Sequence, residues 1–103
     1  MVKTLVTQED FNEAIANGVA VVDFYADWCG PCKILGPIMD KVSDELTDVT
    51  FAKVNVDEGR DVAMQFGIRS IPTIIFFKDG KEADKRIGMI PEANLIEIVN
   101  SLK

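Results

Sequence analysis

Along the 103 residues, short continuous apolar runs alternate with stretches in which apolar positions recur at helical spacing. Val2 to Val6 reads as a short strand. Thr7, three residues before Asp10, is an N-cap signal for a helix whose inner face carries Phe11, Ala14 and Ile15 and which stops at Asn17-Gly18. Val19 to Ala26 is apolar throughout except for one acid, Asp23, the pattern of a strand covered on both faces. From Cys29 to Leu46 the apolar positions are Ile34, Leu35, Ile38, Met39, Val42 and Leu46, which predicts a helix kinked at Pro37. Phe51 to Val56 is the next strand, and a short helix with Val62, Ala63 and Phe66 follows and closes at Gly67. Thr73 to Lys78 and Lys81 to Ile87 flank Asp79-Gly80, a tight hairpin signal. Pro91 opens a last helix with the stripe Leu95, Ile98, Val99 and Leu102. The order βαβαβαββα predicts an α/β fold, a mixed central β-sheet flanked by helices on both faces.

The length reads as a single domain, residues 1–103, and a composition that is 48% hydrophobic supplies a core without staples. A formal charge of −6 with no histidine argues against a phosphate-neutralising surface, so nucleic acid is not an expected partner. The start, MVKTLVTQEDF, lacks the apolar core of about 7–15 residues that a signal peptide carries. The longest apolar runs are too short to span a bilayer. A cytoplasmic protein with no membrane partner is the expectation, and in that compartment paired cysteines are catalytic or metal-binding more often than structural.

Both cysteines of the chain, Cys29 and Cys32, lie in YADWCGPCKILGP, residues 25–37. A closed zinc site wants four Cys or His ligands, and the chain offers two thiols and no imidazole, so no metal is expected. As a staple, the pair closes so short a loop that the chain-entropy gain is about 2 kcal/mol. A redox couple has positive support. Side chains at i and i+3 of a helix share a face, close enough to form and break a disulfide. Cys29 falls at the helix N-terminus, where unpaired N–H groups and the helix dipole favour thiolate, the form that attacks disulfides. Cys29 is expected to be the more exposed, and Cys32, one turn in, the shielded resolving thiol. Pro31 has no N–H to lose at a helix start.

With VDFYADWCGPCK (22–33), AKVNVD (52–57), FGIRSIPT (66–73), FKDG (77–80) and Gly88 in hand, the whole chain resembles the thioredoxins. The resemblance implies a thiol–disulfide oxidoreductase that reduces disulfides in partner proteins. It makes Cys29 the nucleophile, Cys32 the resolving thiol, Asp23 a buried acid that exchanges protons with Cys32, and Lys53 a neighbour that tunes Asp23. Pro72 is implied to be cis. Trp28, Gly30, Pro31, Ile71, Pro72 and Gly88 are implied to contact the partner polypeptide. Electrons are implied to come from a separate thioredoxin reductase, so no bound cofactor is expected, and the working form is expected to be a monomer. Tyr25, Ser70 and Pro91 depart from the commonest family pattern, and Ser70 adjoins the expected groove.

Read from its own position, Asp23 shares a strand face with Val19, Val21 and Tyr25, and cover on both faces favours burial and a raised pKa. Lys53 has a second reading as a stem that snorkels to solvent. Trp28, the only tryptophan, reads as a surface platform beside a reactive thiol. Met39, Met64 and Met89 read as packing. A binding module with incidental thiols remains the competing class. It would survive replacement of both cysteines by serine, whereas an enzyme would not.

Overall fold

The computed structural model describes residues 1–103. Its elements are β1 (Val2–Thr4), α1 (Gln8–Ile15), β2 (Val19–Tyr25), α2 (Gly30–Glu45), β3 (Thr50–Asn55), α3 (Arg60–Gln65), β4 (Thr73–Lys78), β5 (Lys81–Ile87) and α4 (Glu92–Leu102). The order is the one the apolar spacing predicts. Boundaries differ by a residue or two. β1 stops at Thr4, because Leu5 turns inward and Thr7 caps α1 by accepting the Asp10 N–H at 3.0 Å. α2 begins one residue after Cys29, which is its N-cap, and runs without a break through Pro37. Pro91 is the N-cap of α4 rather than part of its first turn, and offers no side-chain acceptor there.

The five strands form one sheet in the order β1-β3-β2-β4-β5. β3 runs parallel to both β1 and β2, as helical crossovers require, and β2–β4 and β4–β5 are antiparallel. The β4–β5 turn is the predicted two-residue hairpin. Asp79 and Gly80 both have positive φ, 49° and 85°, the type I′ geometry that matches strand twist. β5 is an edge strand, nearly all exposed, rich in charge and bulged at Ala83 where the register slips between Phe76 and Phe77.

Alternation along the strands sorts the core into two layers. Ala20, Val22 and Phe24 of β2 join Ala52, Val54, Ile75 and Phe77 under α1 and α3, which contribute Phe11, Ile15, Val62 and Ala63. Val19 and Val21 join Phe51, Ile74 and Phe76 under α2 and α4, which contribute Leu35, Met39, Val42, Leu95 and Val99. β2 is therefore covered on both faces, and six of its seven residues are buried. On the α1/α3 side Phe77 meets Phe11 and Phe66 edge-on, with ring centroids 5.5 and 5.6 Å away.

Phe77→Ala removes this fully enclosed ring. The expected loss is about 3–5 kcal/mol, a large part of the roughly 5–15 kcal/mol that stabilises a small domain. Urea unfolding followed by circular dichroism should show a lower midpoint at an unchanged slope. An unchanged midpoint would contradict the two-layer core.

Candidate active site

The strand register gathers the chemistry at one edge of the sheet. β2 and β3 are parallel, with Tyr25 opposite Asn55, so both strands end there. β4 runs the other way, with Thr73 beside Phe24 and Ile87, so it begins there and β5 ends there. The segments leaving this edge carry Trp28, Cys29, Asp57, Ile71, Pro72 and Gly88. These residues come from four chain segments that reach the same rim.

Cys29 and Cys32 are joined as a disulfide, with Cα atoms 5.3 Å apart. Cys29 caps α2, and its Sγ accepts the backbone N–H of Cys32 at 3.2 Å. That bond, together with the N-terminal end of a 16-residue helix, stabilises negative charge on the Cys29 sulfur when the disulfide opens. Exposure does not separate the two residues as the sequence suggests. They are 5% and 6% exposed, since the disulfide draws both sulfurs under Ala26, Tyr25, Val56 and Ile71. The asymmetry is one of hydrogen bonding. Gly30 and Pro31, between them, are exposed.

Asp23 is 3% exposed, and no protein group donates to its Oδ1. Burial raises its pKa from 3.8 to about 7, against an opposing pull from the charge of Lys53. Lys53 is the register partner of Asp23 on β3 and is half-buried. It makes no ion pair with the carboxylate. Its Nζ lies over the Tyr25 ring, 5.5 Å from the centroid, so the charge acts on Asp23 from a distance. A cavity of about 180 Å³ is lined by Asp23, Tyr25, Ala26, Asp27, Cys32, Lys33, Gly36 and Lys53. It puts the buried acid and the second cysteine on one wall system, with room for water.

The expected contact residues are found around the disulfide with differing exposure. Trp28 is 71% exposed and donates from Nε1 to Asp57 Oδ2 at 3.0 Å. Ile71 is half-buried against the cysteines, Pro72 is buried, and the bond between them is cis. The half-buried Gly88 donates its N–H to the Pro72 carbonyl at 2.8 Å, which ties the end of β5 to the loop before β4. Ser70 accepts the Thr73 hydroxyl through its carbonyl, which braces the same loop. Met39 packs in the core, whereas Met64 and Met89 are exposed, contrary to the packing reading. Sequence reasoning missed Asp57 and Asn55 as individual residues. Their only signal was membership of the AKVNVD block.

A thioredoxin family model matches residues 2–101. The chain belongs to the thioredoxin family. It is 58% identical over 83 residues to the thioredoxin of Mycoplasmoides gallisepticum, covering 81% of this chain and 83% of that one. It is 46% identical over 100 residues to the thioredoxin of Chlamydia caviae, covering 97% of each. Among solved structures it is similar to Fasciola hepatica thioredoxin, with TM-score 0.88 at 37% identity over 99% of this chain and all of that one. It is likewise similar to Plasmodium falciparum thioredoxin, with TM-score 0.90 at 34% identity and the same coverage. The thioredoxin fold and a Cys29–Cys32 pair at bonding distance make this chain a redox-active thiol–disulfide oxidoreductase, and disulfide-containing substrates follow from the family. No helix is long and apolar enough to cross a membrane.

Asp23 makes stability depend on pH. Its folded pKa, about 7, lies above the ~3.9 of an unfolded aspartate, so the native state holds the proton longer. The contribution is whole below pH ~4 and is lost as pH rises through about 7. Asp23→Ala should therefore unfold at higher urea than wild type at pH 8, by about 1–3 kcal/mol, with the gain shrinking towards pH 5. A gain that grows as pH falls would contradict the buried, protonated carboxyl.

Proposed function

We propose that the chain, acting as one unit over residues 1–103, is a disulfide reductant in which Cys29 is the nucleophile and Cys32 the resolving thiol. The observation that carries this is the Cys32 N–H directed at Cys29 Sγ at the start of α2, which favours thiolate at Cys29. In the reduced form, Cys29 thiolate attacks one sulfur of a target disulfide. A Cys29–target bond forms, the target S–S bond breaks, and the first target sulfur leaves as thiolate and takes a proton. Cys32 then loses its proton and attacks Cys29 Sγ. The Cys29–Cys32 bond forms, the mixed disulfide breaks, and the second target sulfur leaves. Two electrons have passed from the dithiol to the target.

Asp23 is the group placed to accept the Cys32 proton. The two share a cavity, and a pKa of about 7 lets the carboxyl hold or give up a proton near neutrality. Lys53 opposes burial and keeps that pKa from climbing further. Trp28, Gly30, Pro31, Ile71, Pro72 and Gly88 form the contact rim for the target. Gly30 and Pro31 carry no charge that would hold the reduced thiolate, which favours a reducing couple over an oxidant. The working form is a cytoplasmic monomer without bound cofactor, re-reduced by thioredoxin reductase.

Cys32→Ser removes the internal route that breaks the mixed disulfide. Pull-downs with it should recover disulfide-linked proteins that dithiothreitol releases, while Cys29→Ser recovers none. Limiting iodoacetamide at neutral pH should alkylate Cys29 of the reduced protein first. Trapping by Cys29→Ser alone would swap the two roles. Asp23→Ala should slow insulin reduction by about 10–100-fold while leaving the alkylation rate of Cys29 close to wild type. Equal turnover would remove the proton-transfer role.

A further inference from the structure

Trp28 is too exposed for packing to fix its ring, and its indole N–H has one protein partner, Asp57. The aim of the ring therefore depends on where Asp57 stands. Asp57 is itself exposed and lies two residues past the end of β3, so something must hold it. Asn55, the last residue of β3, is 4% exposed. Its Oδ1 accepts the N–H groups of Asp57 at 2.9 Å and of Glu58 at 3.3 Å, and its carbonyl accepts those of Glu58 at 3.1 Å and Gly59 at 2.7 Å. One residue thus closes the whole turn by side chain and backbone together, an Asx-turn. Gly59 is required by close approach, since a Cβ there would stand 2.8 Å from Val54 Cγ1. The turn starts in register with Tyr25, three residues before Trp28, so the two strand ends deliver carboxylate and indole side by side.

We propose that Asn55 is a positioning residue for disulfide reduction: through the turn it closes, it sets Asp57, which sets the Trp28 ring beside Cys29 for target docking. The proposal rests on the reading of Trp28 as a target contact. Asn55 acts on binding of the target polypeptide and not on sulfur chemistry.

The test is a double-mutant cycle of Asn55→Ala, Asp57→Ala and the pair. Trp28, as the only tryptophan, reports its own state by fluorescence. The pre-reduced protein is mixed with insulin, and the half-saturating insulin concentration is separated from the limiting rate. Each single variant should make Trp28 more accessible to acrylamide. Each should also raise the half-saturating concentration by about 2–10-fold, the range of one lost side-chain hydrogen bond, with the limiting rate held. The pair should do no more than Asp57→Ala alone, and Asn55→Asp, which keeps the acceptor, should restore wild-type values. Gly59→Ala, which disturbs the turn while leaving the Asn55 and Asp57 side chains in the chain, should copy the fluorescence change and covers the case in which Asn55→Ala does not fold. Additive effects, or turn variants with wild-type Trp28 quenching, would overturn the proposal. Failure of the wild type to reduce insulin would instead count against the functional reading, and the fluorescence cycle is read independently of it.

Discussion

A strand that is covered on both faces leaves no solvent for any charge it carries, and β2 is such a strand. α1 and α3 close one side, α2 and α4 the other, and β3 and β4 occupy both edges. The row of side chains under α2 and α4 runs Val19, Val21 and then Asp23, so the alternation that builds the core also buries a carboxyl within it. The desolvation raises the carboxyl's pKa towards neutrality, and the group lines the same cavity as Cys32. The same strand, two layers deep in cover, gives α2 a rigid base. The helix start that caps on Cys29 is held by the core packing of Leu35 and Met39 and by the Cys29 N–H, which donates to the Ala26 carbonyl at 3.2 Å.

Periodicity was sufficient for the elements because each one answers to a single local rule. Continuous apolar runs mark the buried strands, Thr7 and Asp10 mark the start of α1, and Asp79-Gly80 marks the hairpin. Strand order was beyond it. The sequence contains no local signal that β3 separates β1 from β2, or that β4 lies antiparallel against β2, since both follow from how the two layers pack. The same limit applies to the site. Cys29, Cys32 and Asp23 stand out by residue type in an apolar setting. Asp57 and Asn55 do not, because a polar residue after a strand is ordinary until its partners are known. The equal burial of the two cysteines was also hidden, since it depends on Val56 and Ile71, which come from other segments.

The electrostatics of the site are short-range in one place and long-range in another. Cys29 Sγ is served by a hydrogen bond at 3.2 Å, which depends on the cap geometry of α2. Asp23 feels Lys53 without a contact, because that ammonium rests over Tyr25. The arrangement leaves the carboxyl free of a fixed partner, so its proton can move. A close ion pair would have held it ionised and tied it to one geometry.

The bulged outer strand β5 bears on the company this protein keeps. A sheet edge offers unpaired N–H and C=O groups to any extended chain, and a catalyst whose substrates bear disulfides meets extended chains as part of its work. Lys81, Glu82, Asp84, Lys85 and Arg86 cover that edge with charge, and the kink at Ala83 breaks its flatness. A polypeptide laid along it would have to strip water from those side chains and match an irregular ladder. Edge-to-edge pairing along β5 is thereby made costly for any extended chain that reaches it.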